Sequence, residues 1–277
     1  MAKLPEKSNV QKINEVVYES YPRPHLGGSV IGHECNRYLI LSFRWAYVSR
    51  IDAKTWRIFR LGDATEDLLV KQLADAGIKI TDSQLRVGGY KEHGSGSIDG
   101  ICELEGVRTL FECKSMNHTN YLDLQRKGVE VSKPQHYKQC QMYMGKFGLS
   151  QTLYIAMDKN TSDVSIEIIE FDSFTYEYLL AKEEEIIDAT HMNLFPKVSE
   201  NPSWFTCKRC DARDFCQDGG EIKHNCRTCQ YSRIKERGKW YCIYHDKNLT
   251  VEEQRAGCDK WEKSEIFSSG EVEEYYE

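Results

Sequence analysis

Asp99, Glu112 and Lys114 stand in the order D…E-x-K, with Glu112-Cys113-Lys114 inside a run of strand-forming residues. A two-residue turn at Glu105-Gly106 joins two expected strands, Ser97–Leu104 and Val107–Ser115. That turn puts Asp99 directly across from Glu112, with Lys114 one step along the same face. Two carboxylates opposed in a sheet repel. A divalent cation between them turns the repulsion into a site, because Mg2+ takes hard oxygen ligands. The lysine can orient or deprotonate a water, or hold a phosphate oxygen. This is the chemistry of metal-assisted phosphodiester hydrolysis. A plain solvent-facing hairpin edge is the alternative. Against it, Ile98, Gly100, Cys102 and Leu104 fill one face, and Ile101 and Leu110 put apolar side chains on the carboxylate face as well. Charges inside a buried hairpin are expensive unless they have a task. Glu66 joins the set from an amphipathic helix expected over Asp63–Ala76, where it shares a face with Leu69, Val70 and Leu73 and where Gly77 is the stop. Its structural alternative is a capping box, Asp63-Ala-Thr-Glu66.

The second chemical signal is sulfur. Eleven cysteines in 277 residues are unusual for a chain with ample core material and no apolar leader that reads as a secretory signal. Seven of them lie between Cys207 and Cys258. Cys207, Cys210 and Cys216 form a C-x2-C-x5-C, which needs a fourth ligand, and Cys35 is the candidate. Cys226, Cys229, Cys242 and Cys258 supply four sulfurs by themselves, enough for a tetrahedral zinc, with His245 as an alternative fourth ligand. A C-x2-C pair suits zinc or an iron–sulfur cluster equally. Cys102, Cys113 and Cys140 read as ordinary buried thiols.

The elements that must position these groups follow from pattern. Residues 1–30, with Pro22 and Pro24, read as an irregular lead-in, and Cys35 to Leu61 as a helix. A helix opens at Pro134 and runs through Met144. Strands are expected over Gln151–Met157 and Val164–Phe171, with the polar loop Asp158–Asp163 between them, and a helix over Phe174–Ile187. Glu265 to Glu277 holds five acids and no base and reads as a solvated tail. No apolar run reaches membrane-spanning length. The net charge of −6 excludes a uniformly basic nucleic-acid coat, yet five of those charges lie in the tail. Two local runs are basic: Arg37, Arg44, Arg50, Lys54, Arg57 and Arg60 against Asp52, and Arg227, Arg233, Lys235, Arg237 and Lys239 against Glu236. Each is either a phosphate-contacting surface or a solvated face.

Together these residues resemble the PD-(D/E)XK nuclease superfamily. Asp99-x12-Glu112-Cys113-Lys114 is similar to its D…E-x-K signature. Gly62-x3-Glu66 resembles the preceding helix motif of the RecB-like and lambda-exonuclease-like branches, and Gln139-x3-Tyr143 their following Q-x3-Y helix. An early Cys35-Asn-Arg37 with a late C-x2-C-x5-C resembles the four-cysteine iron–sulfur staple of Cas4- and AddB-type nucleases. The match covers residues 30–216 or so. The four later cysteines look like an appended zinc module of the kind seen on some phage nucleases.

The resemblance implies an α/β fold: a restriction-endonuclease-like core, a mixed sheet flanked by helices, over 31–217, then a zinc module over 222–262 and an acidic tail over 263–277. Glu66, Asp99, Glu112 and the Cys113 carbonyl would hold one or two Mg2+ or Mn2+, and Lys114 would position or activate the attacking water. Gln139 and Tyr143 would line the DNA path or steady the site. Cys35, Cys207, Cys210 and Cys216 would hold a 4Fe–4S cluster of structural role. The implied activity is a DNA exonuclease acting on linear single- or double-stranded DNA in a prokaryotic or phage-infected cytoplasm, compatible with a recombination or replication protein as partner. No nucleotide-binding GxxxxGK[ST] accompanies it. The competing reading is a non-catalytic, metal-stapled nucleic-acid or adaptor module that kept the fold; such modules lose a site residue, and here all four are present. A redox protein would want a flavin or nicotinamide motif, and the sequence shows none.

Overall fold

The computed structural model describes residues 11–267. The lead-in is more ordered than its composition suggests. β1 (Val17–Ser20) and β2 (Leu26–Gly27) lie within it, and residues 1–10 fall outside the described part. The stretch from Cys35 to Leu61 is not one helix. α1 (Asn36–Phe43) ends where Trp45 takes a positive φ of 54°. β3 (Ser49–Asp52) then pairs antiparallel with β1, and α2 (Ala53–Asp75) begins at once, its N-terminus capped by the Asp52 carboxylate on the Thr55 N–H at 2.7 Å. Asp63 is therefore mid-helix and forms no capping box; it pairs with Arg60 at 3.0 Å instead. Ala76 closes the helix and Gly77 follows at φ 87°, the left-handed position that glycine tolerates.

β4 (Arg86–Gly88) and β5 (Gly94–Ser97) form a small sheet with β2. The expected strand Ser97–Leu104 is broken at Ile98-Asp99. β6 (Gly100–Leu104) starts after the break, and Ile98 packs in the same cluster as Ile101 and Leu110 rather than opposite them. β7 (Val107–Met116) pairs with β6 in the expected register, Gly100 with Phe111 and Ile101 with Leu110. The turn residues Glu105 and Gly106 sit at φ 50° and 81°, as a two-residue hairpin of this hand requires.

α3 (His118–Ser132) and α4 (Pro134–Phe147) then carry the chain across, so β8 (Gln151–Asp158) returns parallel to β7, and β9 (Val164–Glu170) completes the mixed four-stranded sheet β6-β7-β8-β9. The sequence pattern hid α3 because Gly128 (φ 72°) kinks it and its first turn is polar. Pro134 stands in the first turn of α4, where a missing N–H costs nothing.

Strand alternation splits β7 between two layers. Phe111 and Cys113 pack with Leu69 of α2, while Leu110 and Met116 pack with Tyr121, Leu124, Cys140 and Tyr143 of α3 and α4. Cys102, Cys113 and Cys140 are buried thiols in these layers, as read from the sequence. α5 (Ser173–Ile187) covers α1 and α4.

The cysteine-rich part holds the one-turn helices α6 (Phe205–Lys208) and α7 (Arg213–Cys216), the antiparallel ribbon β10 (Ser232–Ile234), β11 (Trp240–Cys242) and β12 (Lys247–Leu249), and α8 (Val251–Ala256) with a full capping box on Thr250 and Glu253. It is welded to the rest by Arg227. That side chain is 1% exposed and donates to the carbonyls of Phe43 (2.9 Å) and Pro24 (2.8 Å) and to Gln254 Oε1 (2.8 Å). Its guanidinium lies 3.7 Å from the centre of the Trp45 ring and 4.8 Å from that of Trp240.

The two basic runs are accordingly not continuous surfaces. Arg227 is structural. Arg44 is buried over Trp240, and Arg37 is spent on the carbonyls of Met192 and Phe195. The acidic tail also begins later than its composition suggests: Ile266 and Phe267 are buried, and residues 268–277 lie outside the described part. Among the described residues no helix is long and apolar enough to cross a membrane. Arg227→Ala, which strands two carbonyls and opens a cavity between two tryptophans, is expected to lower the unfolding free energy by about 3 kcal/mol in a urea titration.

Candidate active site

Glu112 sits mid-strand on β7 and is wholly buried. Its Oε1 accepts from the Gln139 side-chain amide at 2.7 Å and from the Lys114 ammonium. Its Oε2 has no partner among the described residues. Alternation along β7 explains the Lys114 contact, since residues two apart share a face. The α4 packing explains the Gln139 contact: Gln139 is itself buried and points from that helix at the strand.

Asp99 occupies the break between β5 and β6. Freed from the ladder there, its Oδ2 accepts from the Cys113 N–H at 2.9 Å and stands 4.0 Å from Lys114 Nζ. Glu66 reaches the same group from α2. Burial, then the Asp99 charge, pushes the Glu66 carboxyl up to about 7, with Lys114 opposing. Glu112 is also pushed up to about 7, by burial first, with Asp99 and Glu66 adding and Lys114 opposing. Burial pulls the Lys114 ammonium down, but Glu112 and Asp99 outweigh it and hold the lysine charged.

Three carboxyls therefore compete for one cation. The site as built contains more negative charge than Lys114 can neutralise, and an orphaned carboxylate oxygen in its centre. In charge and donor type these oxygens suit a divalent metal ion, although as placed the three carboxylates do not converge closely enough to hold one.

Tyr143 is 2% exposed, so its ring is held in the protein interior. It fills a slot left by two glycines: a Cβ on Gly28 would come within 2.6 Å of Tyr143 Cε1, and one on Gly96 within 2.7 Å of the same atom. Its ring packs against Gly96 of β5 and against Gly28, just past the end of β2.

One pair escaped the sequence reading. His136 Nδ1 lies 2.7 Å from the Tyr154 hydroxyl, and Tyr154 is the β8 residue in register with Glu112. Burial, then the Lys114 charge, drives the imidazole down to about 3, so it is neutral. The spacing of His136 three residues before Gln139 was visible. The Tyr154 position was not, because it depends on a parallel register set across two intervening helices.

The cysteines gather as two groups. Cys35, at the start of α1, lines one cavity with Cys207, Cys210 and Cys216. Burial, then the nearby Cys35 and Cys216 sulfurs, helps push Cys210 up to about 11 against a backbone hydrogen bond. Cys226, Cys229, Cys242 and Cys258 line a second cavity of about 180 Å3 with His245. Burial and the other three thiols push Cys226 up to about 12. Cys258 Sγ is 3.6 Å from His245 Nε2, and the His245 backbone N–H donates to Cys242 Sγ at 3.5 Å. As placed, no group of three or more His, Cys, Asp or Glu among the described residues converges closely enough to hold a metal. In chemical type both donor sets suit thiolate metal sites.

No family model matches the chain, and no curated protein matches it. Solved structures similar to it include an alkaline exonuclease (LHK-Exo) from Laribacter hongkongensis, at 17% identity, covering 59% of this chain and 86% of that one, with a TM-score of 0.46. The same enzyme in complex with dAMP gives 15% identity, the same coverage and a TM-score of 0.44. A phage-related exonuclease from Haemophilus somnus 129PT gives 13% identity, 47% and 68% coverage, and a TM-score of 0.37.

The glycine slot makes a direct prediction. Gly96→Ala overpacks Tyr143 and is expected to cost about 2 kcal/mol. Combined with Tyr143→Leu it is expected to cost clearly less than the two changes summed, measured as a double-mutant cycle in denaturant.

Proposed function

We propose that the protein is a metal-dependent DNA nuclease, acting as an exonuclease on linear ends, with Glu66, Asp99, Glu112 and Lys114 as its centre. The observation that carries the reading is Glu112: a wholly buried carboxylate with one oxygen fixed by Gln139 and Lys114 and the other without a partner. A structural carboxylate at that depth would have both oxygens satisfied.

In this reading Glu112 Oε2, the Asp99 and Glu66 carboxylates and the Cys113 carbonyl hold one or two Mg2+ or Mn2+. When bound, the ions supply Lewis-acid polarisation of a phosphoryl oxygen and lower the pKa of a water. Gln139 fixes the Glu112 carboxylate so that Oε2 stays available. Lys114 Nζ, already anchored on Glu112 Oε1, has a further N–H to orient the attacking water or to hold a phosphate oxygen. Tyr143 and the His136–Tyr154 pair keep the surrounding layer rigid and neutral. DNA as substrate rests on the sequence resemblance, and the site chemistry suits any phosphodiester.

Cys35, Cys207, Cys210 and Cys216 are proposed to hold a 4Fe–4S cluster that ties the start of α1 to the α6–α7 segment. Cys226, Cys229, Cys242 and either Cys258 or His245 are proposed to hold a zinc.

Lys114→Ala is expected to lower cleavage of end-labelled linear DNA in Mg2+ or Mn2+ by at least ~10^2-fold while its circular-dichroism spectrum stays that of the folded protein. Full activity of that variant refutes the site. Protein purified anaerobically is expected to be brown, to lose its visible absorption in Cys207→Ser, and to lose one zinc per chain in Cys229→Ser. Colourless protein with two zincs per chain means the first set binds zinc instead.

A further inference from the structure

Where the cysteine-rich part meets the core there is a cavity of about 450 Å3, lined by Arg44, Arg233, His191, Gln230, Ser232 and Thr190 among others. Every one of these side chains can donate a hydrogen bond. Two of them are buried with atoms left over: Arg44, 9% exposed, has no partner for Nε, and Ser232, 6% exposed, has none for Oγ. Buried guanidinium and hydroxyl groups are normally satisfied, and exceptions call for an explanation. Among the described residues the Arg44 guanidinium makes one hydrogen bond, a long one from Nη2 to the Ala189 carbonyl at 3.4 Å.

The electrostatics point the same way. The charge felt most by Arg44 is that of Arg233, another cation. Two carboxylates also line the cavity. Asp188 is already engaged, with Lys91 Nζ at 2.8 Å from each of its oxygens and the Tyr90 hydroxyl at 2.8 Å. Glu265 is exposed at the rim. Arg233 Nη1 donates to the Gln230 and Ser232 carbonyls at 2.6 and 3.0 Å, which leaves its other N–H groups free for a ligand. Two guanidiniums lining one donor-rich cavity want an anion with several acceptor oxygens in a tetrahedral or planar array.

We propose that this seam is a phosphate-binding site, separate from the carboxylate centre and independent of the reaction assigned to it. Arg44 Nε and the Arg233 guanidinium form a fork on the phosphoryl oxygens, and Ser232 Oγ donates a third bond. The cavity has the size of a nucleotide site rather than of a lone ion. The phosphate can belong to a small free anion or to a nucleic-acid backbone crossing the seam.

The test uses the full-length protein without added Mg2+ or Mn2+. Inorganic phosphate is titrated calorimetrically at fixed ionic strength, and a fluorescein-labelled single-stranded oligonucleotide is titrated by anisotropy. Arg233 is exposed, so Arg233→Gln leaves the fold unaltered; Arg44→Lys keeps the buried charge but removes Nε. Lys239→Gln, a nearby exposed cation outside the cavity, is the control for bulk charge. Saturable phosphate binding weakened at least tenfold by Arg233→Gln and Arg44→Lys but not by Lys239→Gln supports a site for a free anion. Absent phosphate binding, with oligonucleotide affinity lowered tenfold by the same two variants only, supports the backbone source. Equal losses in all three variants, or no loss in the two cavity variants, overturn the proposal.

Discussion

The burial of Glu112 is the constraint around which the molecule is arranged. A carboxylate at the centre of a sheet is tolerated only if charge and hydrogen bonds come to it. β7 itself supplies Lys114 and α4 supplies Gln139, whereas Asp99 from the broken strand and Glu66 from α2 add negative charge that pushes the Glu112 carboxyl up further. The helices could not be exchanged or shifted by a turn without leaving that carboxylate alone. Even with both donors in place, one oxygen is unsatisfied among the described residues, and it is this oxygen that the proposed metal site would use.

Much of this was readable in the residues because it depends on short-range geometry. A two-residue turn fixes a hairpin register, so the pairing of β6 with β7 followed from the position of Glu105-Gly106 alone, but Asp99 lies just outside that ladder and is not paired with Glu112 as the register alone would have it. The i, i+4 relation of Gln139 and Tyr143 follows from helix pitch. The break at Ile98-Asp99 did not follow, since the apolar pattern continues through it. The break is nevertheless what lets Asp99 leave the ladder and turn to the Cys113 N–H. The long helix α2 was misread at its start because Ser49–Asp52 holds no proline or glycine to interrupt a helical reading, and its strand character comes from pairing with β1, about thirty residues earlier.

Charge was the least legible quantity. Counting arginines along the chain suggested two basic surfaces, yet Arg37, Arg44 and Arg227 are structural donors to carbonyls and partners to aromatic rings. A guanidinium presents five donors and a flat apolar face, so it can tie irregular backbone together where a lysine could not. The same property leaves Arg44 and Arg233 beside each other at the seam.

The Arg227 bonds span 184 residues to Phe43 and 203 to Pro24. Contacts of that separation close late in folding, because the intervening loop must be gathered first. During synthesis the Pro24–Trp45 segment must therefore wait for nearly the whole chain to emerge before its carbonyls find their donor. The cysteine-rich part is the keystone of the molecule rather than a detachable appendage, and a product ending before it would leave the first helix without its anchor.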